Sequence, residues 1–141
     1  MKGFMQTGDT HVFPFSGQLI GDNNDEHFQL EVGQIFGIDD EGKAYYPDKD
    51  DADQTAFFTV AEKFDSRRHS AIAGFMPGKA APIILQDPDT PVAAGVNLGL
   101  SDDGPGFAAH VPGEMLLATS YLATANGRTQ ALTKMELTEA P

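Results

Sequence analysis

The stretch "VGQIFGIDDEGKAY" (residues 32–45) has a close counterpart in "AGVNLGLSDDGPGF" (residues 94–107), and an alignment without gaps places Gly42 opposite Gly104. In both stretches a short apolar segment leads into an acidic residue and a glycine, and a second segment ends on an aromatic residue. An acidic residue followed by glycine between two strand-like segments is typical of a β-hairpin, because glycine adopts the positive φ that closes a tight turn. The sequence therefore predicts two related hairpins with repeat turns at Gly42 and Gly104.

The similarity continues downstream at a spacing of about 60 residues. There "RRHSAIAGFM" resembles "NGRTQALTKM", and Ile72 aligns with Leu132. Two copies that cannot each bury an apolar face alone can pack together as one core. The pattern predicts a mainly β fold, a small β-barrel or sandwich built from two related β-hairpin modules at about residues 32–85 and 94–137.

The first thirty residues show no sustained hydrophobic period, and glycine, aspartate and asparagine separate their apolar side chains. We interpret residues 1–30 as an N-terminal arm or edge region ahead of a β domain at residues 31–141. Residues 1 to about 20 are expected to be mobile or extended in an isolated subunit, because they have no buried partners in their own chain. The segment "TAFFTVAEKFDSRRH" fits helical spacing but has the composition of a strand, so both interpretations stay open. The apolar side chains assigned to the arm are Phe4, Val12, Phe13, Phe15, Leu19 and Ile20.

Composition restricts the class of partner. The formal net charge is −12, which repels nucleic acid and anionic lipid headgroups. The absence of cysteine fits a protein made in a reducing cytosol, and no apolar run approaches the roughly 20 residues of a membrane span. We expect a soluble protein with no nucleic-acid partner, no membrane partner and no classical secretion.

The acidic run "PDKDDADQ" is the strongest candidate for metal binding, and its carboxylates are Asp48, Asp50, Asp51 and Asp53. An EF-hand loop needs an Asp or Asn at position five, Gly at six and Glu at twelve, whereas counting from Asp48 gives Ala52, Asp53 and Thr59. The match fails, and a solvated acidic loop is the favoured interpretation.

No other sequence motif indicates a catalytic site or a metal site. The histidines are widely spaced, at His11, His27, His69 and His110, and no serine lies in a Gly-x-Ser-x-Gly elbow. The basic cluster "DSRRH" (residues 65–69) fits a docking spot for an acidic surface or, as we favour, a capped turn. We predict no catalytic residues, no metal ligands and no cofactor.

The glycine before a short strand, the acidic-glycine turn before an aromatic residue, the "TVAEK" strand and the following "AIAGFMPGKA" together resemble phage capsid decoration, or cement, proteins of the lambda head type. The resemblance covers about residues 32–85, with a weaker match over 94–137, and this chain differs in its longer arm and its second copy. It implies a β-rich protein without enzymatic activity that sits as a homotrimer on the shell and attaches through an N-terminal arm.

The expectation is therefore a virion structural protein, made in the host cytoplasm, that binds the major capsid protein on the outer capsid surface and stabilises the particle. Two alternatives stay open. One is a phage tail or neck component, and the other is a small β-barrel module that binds a metal or a sugar at the acidic loop.

Overall fold

A computed structural model describes residues 10–15, 29–48, 50, 54–76, 80–86, 95–112, 114–122 and 128–137. Over these residues the chain forms β-strands and no helix, so none of the described segments is a helix that could cross a membrane. The strands are β1 (Thr10–Pro14), β2 (Gln29–Leu30), β3 (Ile35–Asp39), β4 (Ala44–Tyr45), β5 (Gln54–Val60), β6 (Phe64–Asp65), β7 (Ala71–Phe75), β8 (Ala80–Ile84), β9 (Asn97–Leu100), β10 (Phe107–Ala109), β11 (Met115–Leu122) and β12 (Arg128–Leu137). The prediction of a mainly β fold is confirmed, and the ambiguous "TAFFTV" segment is a strand.

The strands form two five-stranded sheets with the same order. The first sheet runs β1-β7-β5-β3-β4, and the second, read from β8, runs β8-β12-β11-β9-β10. All pairings between strands are antiparallel. We call the strands β1 to β7 the first module and β8 to β12 the second module. The short ribbon β2–β6 belongs to the first module and has no counterpart among the described strands of the second.

Both sheets curl in the same way. Phe15, directly after β1, makes a single parallel bridge to Ala44 at the other edge of its sheet. Leu85, directly after β8, makes the same bridge to Phe107. Among the described residues each bridge stays isolated instead of extending into a ladder, and neither sheet closes into a barrel.

The strand order places the boundaries of the two copies at other residues than the sequence predicted. The segment 80–84, counted with the first copy, is β8 and pairs with β12 of the second sheet. Its counterpart in the first sheet is β1, which lies in the stretch assigned to the arm. The units therefore run from β1 to β7 and from β8 to β12. β1 was not predicted as a strand of the fold because it lies in a glycine-rich stretch, where no period is visible.

The register of the copies also differs slightly from the gapless alignment. Ile38 pairs with Ala44, and Leu100 pairs with Phe107, so Phe107 is the counterpart of Ala44 and not of Tyr45. The second hairpin turn is thus one residue longer. In the last strand, Ile72 pairs with Phe13 whereas Leu132 pairs with Ala80, so Leu132 does not correspond to Ile72. Insertions of this size in turns change the spacing without changing the strand order.

The apolar core has two main parts. One fills the first module beneath the β2–β6 ribbon; its buried side chains are Phe13, Leu30, Phe36, Ile38, Ala44, Val60, Phe64 and Ile72. The other joins the modules and contains Ile35, Phe57, Ile83, Leu98, Phe107, Leu117 and Ala118. Because both faces of β3 are covered, all five of its residues are buried.

Backbone contacts fix the junction between the modules. The Ile84 N–H donates to the Gly33 carbonyl (3.0 Å), and the Ile35 N–H donates to the Pro105 carbonyl (2.7 Å). Gly33 has φ +95°, and a Cβ there would lie 3.1 Å from the backbone of Ile83. Only glycine provides both the positive φ and the space at this position.

Candidate functional site

The surface around β1 contains the described part of the predicted capsid-binding arm. Val12 is 58% exposed, whereas Phe13 is buried in the core of the first module. Phe15 packs on that core, with its ring centroid 5.0 Å from that of Phe64. The remaining predicted arm residues, Phe4, Leu19 and Ile20, lie outside the described residues.

The prediction that the arm lacks partners in its own chain is wrong for residues 10–15. Five consecutive residues of β1 pair with β7, and the Phe15 N–H donates to the Ser70 carbonyl (2.8 Å). The Phe13 ring meets Phe36 edge-on at a centroid distance of 5.7 Å. Alternation along five residues places Phe13 on the buried face, and this pattern is too short to stand out in a glycine-rich stretch.

The edge position of β1 gives it a binding capacity that a central strand lacks. One side of β1 pairs with β7, and among the described strands β1 is the last of its sheet on the other side. Pro14 has no N–H to offer there, and the exposed Val12 lies two residues before it. An edge strand with an exposed apolar side chain is suited to contact with another chain.

The two predicted repeat turns share a hydrogen bond but not a backbone conformation. The Asp39 N–H donates to Lys43 O in the first, and the Ser101 N–H donates to Gly106 O in the second, both at 3.0 Å. Gly42 has φ +82°, whereas Gly104 is not among the glycines with positive φ. The related hairpins are confirmed, and the longer second turn removes the need for a left-handed glycine.

Asp39, which the sequence analysis did not single out, organises the first turn. Its Oδ1 accepts hydrogen bonds from the N–H groups of Lys43 (2.8 Å) and Glu41 (3.0 Å). The backbone bond from Lys43 is the largest cause that lowers the pKa of Asp39 below its usual value, and burial of the carboxyl opposes this shift. The bond from Glu41, a hydrogen bond with the Tyr45 side chain and the Lys43 charge also lower it. The first aspartate of "IDDEG" is the sequence signal, since aspartate commonly caps turns in this way.

An acidic groove lies between the β4–β5 connection and the β9–β10 turn. It has a volume of about 270 Å³, and Asp48, Asp50, Asp102 and Asp103 contribute its carboxylates. Among the described residues, no group of three or more His, Asp or Glu side chains is arranged to hold a metal ion. Asp51 and Asp53 of the predicted acidic run lie outside the described residues.

Gln54 holds one wall of the groove in place. Its Nε2 donates to the Tyr46 carbonyl (3.0 Å), and its Oε1 accepts from the Asp48 N–H (2.9 Å). The side chain lies across Gly37, where a Cβ would overlap Gln54 Oε1. The glycine of "IFGID" is therefore needed for this contact, a role that the hairpin pattern did not reveal.

Among the described histidines, His69 and His110 have local backbone contacts, as does the basic cluster, whereas His27 lies outside the described residues. His69 Nδ1 accepts from the Asp65 N–H (3.0 Å), and His110 Nε2 lies 3.0 Å from Glu114 O. Asp65 Oδ1 accepts from the Arg67 N–H (2.9 Å), so the "DSRRH" segment is a capped turn, as favoured. The arrangement is that of a stabilised turn.

No family model, curated protein or solved structure matches this chain. The resemblance to capsid decoration proteins therefore stays a prediction.

Proposed function

We propose that this chain is a virion structural protein without enzymatic activity, one that binds the outer surface of a phage capsid, contacts the major capsid protein and stabilises the particle. The observation that carries the proposal is the position of β1. This strand lies at the edge of its sheet and is joined directly to residues 1–9, which include the apolar Phe4. A segment attached to a sheet edge can add to another protein through main-chain pairing and apolar contact.

The structure changes which residues this role would use. Phe13 and Phe15 pack in their own module, so an attachment segment of this chain would draw on residues outside β1. Phe4, Leu19 and Ile20 are the predicted arm residues that keep this role in the proposal. The all-β architecture agrees with the β-rich class that the resemblance implies.

The test is a truncation that spares β1. Deletion of residues 1–9, which removes Phe4 and leaves Leu19 and Ile20, is expected to weaken binding to capsids while leaving the melting temperature nearly unchanged, because β1 and Phe13 are retained. Removal of residues 138–141, at the other terminus, is the matched control and should leave capsid binding intact. Binding is measured by co-sedimentation with purified particles.

The functional readout is thermal challenge of particles with and without the protein, followed by release of packaged DNA. The proposal predicts a stoichiometric copy number in particles and earlier DNA release when the protein is missing. Equal heat resistance in both preparations would refute the stabilising role. Localisation on tails in place of heads would support the tail or neck alternative.

A further inference from the structure

The junction between the two modules is asymmetric, because each module uses a different surface. The first module contributes Gly33 and Ile35, and the second contributes Ile84 at β8 and Pro105 in the β9–β10 turn. Such a contact is heterologous, so each module also has the counterpart of the surface that its neighbour uses.

On the second module, the counterparts of Gly33 and Ile35 are Gly95 and Asn97. Gly95 has φ +86°, close to the +95° of Gly33. Gly33 is buried against the Ile83 backbone, whereas Gly95 is exposed and a Cβ there would meet no described atom within 4 Å. The local conformation of the junction is thus repeated at an exposed position that no described residue covers.

Val111 lies on this same surface. Residues 46–48 of the first module border the acidic groove opposite the β9–β10 turn of the second. Pro47 lies two positions after Tyr45, in β4, and the same spacing after Ala108, in β10, leads to His110. Val111 therefore corresponds to Asp48. The His110 N–H donates to the Asn97 carbonyl (3.0 Å), which places Val111 next to this strand end.

On the first module, the counterparts of Pro82 and Ile84 are Val12 and Pro14. Val12 and Pro14 lie in edge strand β1, opposite β7. Pro82 and Ile84 lie at the same positions of edge strand β8, opposite β12. Gly42 lies in the turn that corresponds to the one containing Pro105, and no described atom lies within 4 Å of the position of its Cβ.

The exposed apolar side chains identify both surfaces independently. Among the described residues, Val12 (58%) and Val111 (52%) are the large hydrophobic side chains that are exposed. One lies on each of the two surfaces that correspond to the internal junction. We call Gly95, Asn97 and Val111 the Gly95 face, and Val12, Pro14 and Gly42 the Val12 face.

We propose that the Gly95 face of one copy binds the Val12 face of a second copy, in a head-to-tail contact that repeats the internal junction. The occupant of each face is a second copy of this chain, because the chain already contains a contact between these two kinds of surface. Repetition of the contact closes a ring when the rotation between modules permits it, and the expected trimer would place six modules around one axis.

The contact between copies is weaker than the internal one. Pro14 stands where Ile84 donates its N–H to Gly33, and proline has no N–H, so that hydrogen bond is missing. Asn97 also replaces the buried Ile35, which makes the outer contact more polar. These differences fit an interface between separately folded copies.

Sedimentation of the full-length chain and of two single-face variants tests this proposal. Val12→Lys and Val111→Lys each place a charge at an exposed position and each make the net charge less negative. Self-repulsion would therefore not explain a loss of association. We expect the unmodified chain to form a discrete oligomer and each variant alone to be monomeric, at 15.1 kDa. Glu62→Gln, an exposed substitution with the same change in charge, should retain the oligomer.

The decisive experiment uses an equimolar mixture of the two variants. Val12→Lys retains an intact Gly95 face and Val111→Lys retains an intact Val12 face, so the mixture should form a dimer and stop there. A symmetric interface would give no dimer in the mixture. A monomeric unmodified chain, a mixture that stays monomeric, or variants that still form the full oligomer would each overturn the proposal. The result does not depend on capsid binding, so the two proposals fail separately.

Discussion

At the scale of single residues, the two hairpin turns are capped by side chains of different chemistry. The Asp39 carboxylate accepts two backbone N–H groups in the first turn, whereas the Ser101 hydroxyl accepts the Asp103 N–H (3.0 Å) in the second. Hydrogen bonds to an ionised acceptor are stronger than those to a neutral one. The stability of the first turn should therefore depend on pH.

Asp39→Asn is expected to lower the melting temperature at neutral pH, because the amide keeps an acceptor but loses the charge. The lowered pKa of Asp39 means that its stabilising effect is fully present above the unfolded value and is lost as the pH falls through the lower folded value. The difference in melting temperature between the two proteins should thus be constant near neutral pH and shrink below about pH 4. Thermal unfolding followed by circular dichroism over this range measures it.

Asp40→Asn is the control, because Asp40 is exposed in the same turn. It should change the melting temperature little. A difference for Asp39→Asn that does not vary between neutral and acid pH would show that the charge of Asp39 contributes nothing to folding.

Gly33 and Gly95 form a natural matched pair. Both have positive φ, so alanine at either position costs about 1 kcal/mol of unfolding free energy from backbone strain. Gly33→Ala should cost more, about 2–4 kcal/mol in total, because its Cβ also meets the Ile83 backbone at 3.1 Å. Urea unfolding of dilute, monomeric protein measures both values, and equal losses would rule out a tight junction at Gly33.

At the scale of elements, β1 is an integral strand of the first module. Phe13→Ala should lower the unfolding free energy by about 3–5 kcal/mol, because it removes a buried ring from among Phe36, Phe58 and Ile72. Val12→Ala, one residue away and exposed, should change it by less than about 0.5 kcal/mol. Denaturant unfolding of both variants is the measurement. A small loss for Phe13→Ala would restore the interpretation of this segment as a loosely attached arm.

The contrast between β1 and β3 explains which elements the sequence predicts. Gly33, the "IFGID" segment and the turn at Gly42 lie within fifteen residues of one another, so local turn chemistry is enough to predict the hairpin. β1 pairs with β7, about sixty residues later, and only that long-range pairing makes it a strand. A five-residue alternation between glycines carries too little information to predict such a partner.

The core and the candidate surfaces likewise depend on long-range contacts that local sequence does not reveal. Phe36 and Phe58 in the first module correspond to Leu98 and Ala118 in the second, while the small Ala44 corresponds to the large Phe107. The side-chain volume is redistributed between the copies, so residue identities drift while the strand order is kept. Val111 was missed for a similar reason, since its significance comes from the position of its counterpart in the other module.

At the scale of the whole molecule, a short chain has two copies of one module and a strongly negative charge. The charge of −12 opposes the approach of identical chains, while the Gly95 and Val12 faces offer apolar and backbone contacts. The free energy of association is the difference between these two contributions. Salt changes the charge repulsion far more than the apolar and backbone contacts, so a salt series separates the two contributions.

We therefore expect self-association to strengthen as the salt concentration rises from about 0.05 M to about 0.5 M, because the Debye length falls from above 10 Å to below it. Sedimentation velocity at a series of protein concentrations gives the dissociation constant at each salt concentration. Glycerol at matched osmolality is the control, since it changes hydration without screening charge. An interface built on charge pairs would instead weaken as the salt concentration rises. Such an interface would pair the exposed Arg67 and Arg68 of one copy with the turn at Asp102 and Asp103 of another. Weaker association at high salt would thus assign the contact between copies to those charges and contradict the head-to-tail contact, whereas stronger association leaves the apolar faces as its basis.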